Sequence, residues 1–558
     1  MPQIGRFAEQ FGLILAQTLA LMAVSAVWAA GETLYNGIEL PSPWPPKDHV
    51  VTLDPMRLPY IANPPAVIPI DVGRQLFVDD FLIEETTLRR TFHSAEYYAG
   101  NPVLRPDKPW EQEGNDPTAM VFSDGVWYDP HDKQFKMWYM GGYCASTCYA
   151  TSQDGIHWEK PSLDVRPGTN IVHAGDRDSA TVWLDLEEKD PLRRYKLFRT
   201  HKDEGWALSI YCSADGIHWG DAIARSGPCG DRTTVFYNPF RKVWVYSLRE
   251  YTPFGGSAQN MRVRRYWEHA DVIAGCQWKA GEPPLWVGAD RLDSRRPELD
   301  VQPELYNLDA VAYESIMLGL FDIWRGQPED RAKPNEVLLG FSRDGFHWDR
   351  PCRKAFCPVS ERHGDWNWAN VQSAGGGCLV VGDKLYFYVS GRAGIPGSAR
   401  SGVCSTSLAI LRRDGFASMG AGKSEGILTT RPVRFSGRYL FVNVDSKRGG
   451  LRVEVLDADG RVIEPFSRAN CLPVRTDTTL QAVRWKSVGG LSDLSGKPVR
   501  LRFYLTNGRL YSFWVSPERT GASHGYVAAG GPGFIGPRDT VGSGAYKHAS
   551  ALKSLVPE

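Results

Sequence analysis

The chain carries no charge excess: Lys and Arg number 64, and so do Asp and Glu, over 558 residues. A nucleic-acid binder shows a basic surplus or stripe, so no nucleic-acid partner is expected. The ten cysteines include no CxxC pair and the 12 histidines form no cluster, so no metal site is expected. Cys144 with Cys148 and Cys352 with Cys357 are close enough to pair, with buried free thiols as the alternative. There is no Gly-rich phosphate loop and no Ser-His-Asp ordering. The apolar run from Gly12 to Ala26 falls short of the ~20 residues of a membrane span. With Arg6 before it and small residues after it, the run makes 1–30 an export signal. The mature chain is then secreted or periplasmic and free of the membrane.

What is present is turn formers and aromatics. With 56 Gly, 38 Pro and 19 Trp, the composition is that of a turn-rich globular protein. Flat rings serve either as sheet-core filling or as stacking platforms for sugars. Residues 31–72 are Pro-rich without periodicity and are expected to run extended along a surface. Arg74 to Glu85 is a strand candidate, assigned to close a ring of sheets by joining the last one.

Between residues 73 and 422 one unit recurs five times. Its marker is a Ser-x-Asp-Gly-x-His-Trp turn at Ser152, Ser213 and Ser342, in which Gly supplies the positive φ of a tight turn. Asp271 with Trp278 and Arg413-Asp414-Gly415-Phe416 are weaker copies. Asp154, Asp215, Asp271, Asp344 and Asp414 are spaced by 56 to 73 residues, long enough for a four-stranded blade with loops. His157, His218 and His347 recur at one position, which marks a packing or hydrogen-bonding residue. The fold class predicted is all-β: a five-bladed β-propeller (73–422) followed by a β-sandwich (423–517), with a Gly-rich disordered tail (518–558).

Each unit opens on a carboxylate before its first apolar strand: Asp116, Asp178, Asp231, Glu304 and Asp365. First strands line a propeller's channel. Carboxylates gathered there persist only where ligand hydroxyls, Arg groups or a cation compensate; the alternative is that they cap turns. Clustered acids without a metal motif point to glycoside hydrolysis, which needs one protonated and one ionised carboxyl. Asp116, Asp178, Glu304 and Asp231 are the catalytic candidates, with Glu304 as the acid by its longer reach. Asn115, Arg177, Arg232, His201, Arg249, Asp365, Trp366 and Arg392 are the candidates for holding a carbohydrate substrate. No cofactor is expected beyond a cation in the channel.

The chain over roughly 74–420 resembles the five-bladed propeller glycosidases of glycoside hydrolase families 32 and 43, and 426–516 resembles the trailing module of family 32. Asn115-Asp116-Pro117 is similar to that family's first-blade motif, which implies a nucleophile at Asp116. Arg177-Asp178 is similar to its Arg-Asp-Pro motif, with Ser179 in place of Pro, which implies a transition-state stabiliser at Asp178. The Glu-Cys acid motif has no match: Glu304-Leu305 is nearest in type but falls on the fourth unit, and Asp231 occupies the third. The resemblance implies the fold and the broad activity. The alternatives are a non-catalytic glycan-binding propeller, a sialidase-like enzyme with converging arginines and a Tyr nucleophile, and a glycoside phosphorylase.

Overall fold

A computed structural model describes residues 31–203, 205–486 and 488–547; the export signal expected at 1–30 lies outside them. The molecule is almost entirely β. Five antiparallel sheets follow one another along the chain. The first is Ala119–Asp129, Gln134–Gly141, Ser146–Ser152 and Ile171–Ala174. The second is Ala180–Leu184, Tyr195–His201, Ala207–Ser213 and Ala224–Arg225. The third is Thr234–Asn238, Val243–Pro253, Asn260–His269 and Leu285–Gly288. The fourth is Glu304–Glu314, Ile316–Trp324 and Glu336–Ser342. In the fifth, Asn370–Ser373 and Leu379–Val381 both pair with Lys384–Arg392, which pairs with Cys404–Arg412.

The opening strands stand side by side from the first sheet to the fourth, and Asn370–Ser373 returns to Ala119–Asp129, so the five sheets close a circuit. One apolar core runs through all of them. The circuit is sealed by Glu96–Tyr97, which adds to the edge of Cys404–Arg412. Arg74 to Glu85 does not have the sealing role expected of it. It breaks at Asp79, whose Oδ1 accepts the Phe81 N–H at 3.1 Å and whose carboxylate pairs with Arg343. Gln75–Leu76 then joins Gly508–Ser516, and Ile83–Thr86 joins Gly426–Thr430.

Those last strands belong to two further antiparallel sheets that share a second core, including Phe77, Leu428, Val442, Val453, Phe503 and Phe513. Alternation decides their facing. In Arg500–Thr506, Leu501, Phe503 and Leu505 are buried while the residues between them are half-exposed. The Pro-rich segment 31–72 is not merely a surface strand. Leu34, Ile38, Leu40, Tyr60, Ile68 and Ile70 enter the second core, while the Tyr35 ring stacks on Phe240 with centroids 4.2 Å apart.

The three strong turn copies share one hydrogen-bond scheme. In the second, Ser213 Oγ accepts the Gly216 N–H at 2.9 Å and Asp215 Oδ1 accepts the Ile217 and His218 N–H groups. His218 Nδ1 lies 2.7 Å from Asp215 Oδ2, so the recurrent histidine is a turn clasp. The preceding sheet then holds the turn: Trp138 Nε1 donates to the Gly216 carbonyl at 2.7 Å, and Trp286 Nε1 to that of Phe346 at 2.8 Å. Gly216 has φ +79°, and a Cβ there would lie 2.5 Å from the Trp138 ring. Gly216→Ala should therefore cost at least the ~1–3 kcal/mol of a strained left-handed residue, read as a lower midpoint in urea unfolding. Asp271 keeps the Asx bonds, to the Ile273 and Ala274 N–H groups, without the glycine. Asp414 does not mark such a turn; it sits at φ +60° in a buried ion network.

Residues 518–547, expected from their glycine content to be disordered, are ordered, and most of 521–534 is buried. Tyr526–Val527 pairs with the end of Glu304–Glu314, and Asp539 is an ion partner of Arg413. All ten cysteines are free.

Candidate functional site

Two irregular strands shape the centre of the circuit. In Ala119–Asp129 the register jumps between Met120 and Gly125, and Ser123 takes φ +61°. The extra residues place Phe122, Ser123 and Asp124 among groups from the other sheets. Ser123 Oγ donates to Asp309 and accepts from Asn307 and Arg232, and Asp124 pairs with both terminal guanidinium nitrogens of Arg177. In Glu304–Glu314 the register shifts between Leu305 and Asn307, so Tyr306 has no cross-strand partner. A bulge re-aims a side chain in this way. The Tyr306 hydroxyl accepts from Lys333 Nζ at 2.7 Å.

Below the mouth, polar groups fill the centre. Asp309 accepts from Ser123, Asn307 and Ser373, and Asp322 accepts the Ser373 N–H at 3.1 Å. Burial, reinforced by Asp309 and opposed by Arg232, pushes the Asp322 carboxyl up to about 8. A folded-state value above the unfolded one means that this group's stabilisation is complete below about pH 4 and is lost as pH rises through 8. Asp322→Asn should thus gain melting temperature relative to wild type between pH 5 and pH 9. A constant difference would contradict the assignment.

At the mouth, Asp178 and Asp231 are neighbours. Ser179, next to Asp178, donates its hydroxyl to the Asp231 carbonyl at 2.8 Å. Asp178 is half-buried, and its Oδ1 has no hydrogen-bond partner among the described residues. Burial and the adjacent Asp231 charge push the Asp178 carboxyl up to about 6, against Arg232, Arg177 and Lys333. Asp231 accepts the Arg232 N–H at 3.0 Å and lies 3.2 Å from Arg249 Nε. Asp178 therefore keeps its proton to about pH 6.

The other carboxylates do not join this pair directly. Asp116 Oδ1 accepts the Gly402 N–H at 3.1 Å and Arg400 Nη2 at 3.0 Å, which ties it to the loop after Lys384–Arg392. Arg400 also donates to the Asn115 carbonyl. The Cys404 N–H donates to the Pro117 carbonyl at 2.8 Å and Cys404 pairs with Arg392 across the neighbouring strand, which places Asp116 on the Arg392 side of the mouth. Glu304, the acid expected from reach, is occupied: its Oε2 accepts the Arg262 backbone N–H at 3.1 Å and its guanidinium at 2.5 Å. Asp365 is bound to Arg362 and Ser360 on an outer loop, and Trp366 packs edge-on to Tyr97 at 5.1 Å, so neither reaches the centre. His201 is held in its own hairpin by Ser209 and Asp203. Arg177 is committed to Asp124.

Arg232 and Arg392 remain at the mouth. Both guanidinium groups lie over the Phe122 ring, at 3.8 and 5.6 Å from its centroid. Arg392 donates to Ser401 Oγ at 2.9 Å and to the Tyr143 hydroxyl at 3.3 Å. Phe122, Tyr306, Lys333, Tyr143 and Asp322 had no signal in the sequence. Tyr306 alone was within reach of inference, two residues past Glu304.

No protein-family model matches the chain, and no curated protein matches it. Similar solved structures are glycoside hydrolases. One is a glycoside hydrolase from Parabacteroides distasonis ATCC 8503, with 15% identity over 57% of this chain and 97% of that one and a TM-score of 0.37. A second is a family 43 arabinoxylan arabinofuranohydrolase from Bacillus subtilis, with 12% identity over 76% and 99% and a TM-score of 0.34. A third is the endo-arabinase from Bacteroides thetaiotaomicron VPI-5482, with 9% identity over 52% and 94% and a TM-score of 0.32. Likeness at this level leaves the chemistry to the site itself.

Proposed function

We propose that the chain is an exported glycoside hydrolase akin to families 32 and 43, a five-bladed β-propeller followed by a β-sandwich, cleaving a poly- or oligosaccharide at the channel mouth. Five sheets in a closed circuit and two further sheets sharing one core support the architecture. The leader-like residues 1–30 support export.

The observation that carries the activity is Asp178, a carboxyl kept protonated to about pH 6 by burial and by the neighbouring Asp231, which itself lies against Arg249. Glycosidic oxygen is a poor leaving group until it is protonated, and an acid retained to about pH 6 supplies that proton. As the bond breaks, the leaving oxygen takes the proton and positive charge develops on the sugar ring. A carboxylate on the far side then attacks the anomeric carbon or draws a proton from the attacking water. Asp116 is the group we assign to that side. Arg400 and the Gly402 N–H hold its carboxyl in place. Glu304 is left a binding role through Arg262.

Sugar release from a glycan panel by the full chain tests this. Asp116→Asn should lower kcat/KM by at least 10²-fold while the melting temperature moves by only a few degrees. Release that persists in both Asp116→Asn and Asp178→Asn would overturn the assignment.

A further inference from the structure

Three cations, Lys333, Arg392 and Arg232, gather around the Phe122 and Tyr306 rings. Lys333 bonds a phenol and Arg392 a hydroxyl and a phenol; among the described residues neither makes an ion pair. Arg392 is 3% exposed, and its Nε has no hydrogen-bond partner. Arg232 is 1% exposed, and its Nε and Nη1 have none either. Its nearest carboxylate, Asp322 at 3.6 Å, retains a proton at neutral pH. Burying guanidinium N–H groups without partners costs free energy, and among the described residues none supplies these with an acceptor.

The cations converge. Arg232 and Arg392 share the Phe122 ring, and Arg232 also lies 5.9 Å from the Tyr306 ring that Lys333 approaches to 4.6 Å. Burial pushes the Tyr306 phenol up, but Lys333 and Arg392 outweigh it and hold it below its ordinary value. Lys333 and Tyr143 are half-exposed, and Lys333 is near enough to act on the Asp178 carboxyl, as Asp231 is to act on the Tyr306 phenol, so this group of cations adjoins Asp178 and Asp231.

We propose that the sugar bound at this mouth carries an anionic group, a carboxylate or a sulfate, held by Lys333, Arg392 and Arg232 around Tyr306. The substrate is then an acidic glycan. This rests on the carbohydrate reading of the site. Arginine forks suit planar carboxylates and sulfates alike, so the two sources share one chemistry. Arg249 and Arg262 are not part of this group, since Asp231 and Glu304 already occupy them.

The test uses the full chain carrying Asp178→Asn, to slow turnover, in titration calorimetry with matched oligosaccharides: a uronate and its methyl ester, a sulfated sugar and its desulfated form. The expected result is at least tenfold tighter binding of one anionic member than of its neutral partner. That gap should close on adding Lys333→Gln, with the melting temperature unchanged. Uronate preference assigns a carboxylate, and sulfate preference assigns a sulfate. Equal affinity for both members of both pairs would overturn the proposal, as would a gap that survives Lys333→Gln and Arg392→Gln. Wild-type enzyme separates the two levels of the reading. Hydrolysis confined to neutral glycans removes the anion site and leaves the hydrolase. An unsaturated uronate product keeps the anion site and removes hydrolysis. A sugar 1-phosphate formed only in phosphate buffer would reassign the cations to inorganic phosphate and overturn the proposal.

Discussion

Asp178→Asn is expected to lower kcat/KM on an unactivated glycan by about 10²–10⁴-fold, the range spanned by general acid catalysis. The amide has nearly the shape of the carboxyl, and Asp178 is half-buried with one oxygen unpartnered, so the fold should tolerate it. The loss should depend on the leaving group. An aryl glycoside whose phenol departs without protonation should be cleaved by the variant almost as well as by wild type. A uniform loss on both substrates would mean that Asp178 binds or positions and donates no proton. In wild type the same group sets a pH limb: activity should fall as pH rises through about 6, where Asp178 loses its proton.

Removing residues 518–558 is expected to abolish cooperative folding. Arg413, fully buried, has Asp539 and Glu314 at 3.0 Å. Glu314 in turn accepts from Ser523 Oγ at 2.7 Å and lies 3.3 Å from Arg74, which binds Asp414 at 3.0 Å. Truncation takes Asp539, Ser523 and the strand Tyr526–Val527 at once. Breaking one buried ion pair by deleting a partner costs about 3–5 kcal/mol, a large share of the roughly 5–15 kcal/mol that holds a domain together. Circular dichroism melting should show no sharp transition. Deleting 548–558 alone keeps every one of these contacts and should melt like the full chain. A 518–558 deletion that melts normally would contradict the network's role.

The three strong turns were legible because their chemistry is local: Ser, Asp, Gly and His bond one another within six residues. The opening acids were half legible. Position in the repeat finds Asp178 and Asp231, but it cannot reveal that Arg262 occupies Glu304 or that Arg362 draws Asp365 outward. Phe122 and Tyr306 come from strand bulges, which leave no periodic trace, and Lys333 comes from a loop. The C-terminal segment was misread for a physical reason. Its glycines mark close approach: a Cβ on Gly531 would lie 1.8 Å from the Val380 carbonyl, and one on Gly525 2.2 Å from Glu314. Such residues are small because the backbone is packed, whereas composition alone suggests freedom. Arg74 to Glu85 was misplaced because apolar runs feed either core equally well until Asp79 breaks the strand.

The proposed chemistry turns on a proton held by Asp178 beside the Asp231 charge. Infrared titration of the carboxyl band, as the difference between wild type and Asp178→Asn, measures it without any substrate. A carboxyl should titrate near 6 and move toward ordinary carboxylate values when Asp231→Asn removes the neighbouring charge. A group that titrates near 4 in wild type, or stays near 6 in Asp231→Asn, would contradict it.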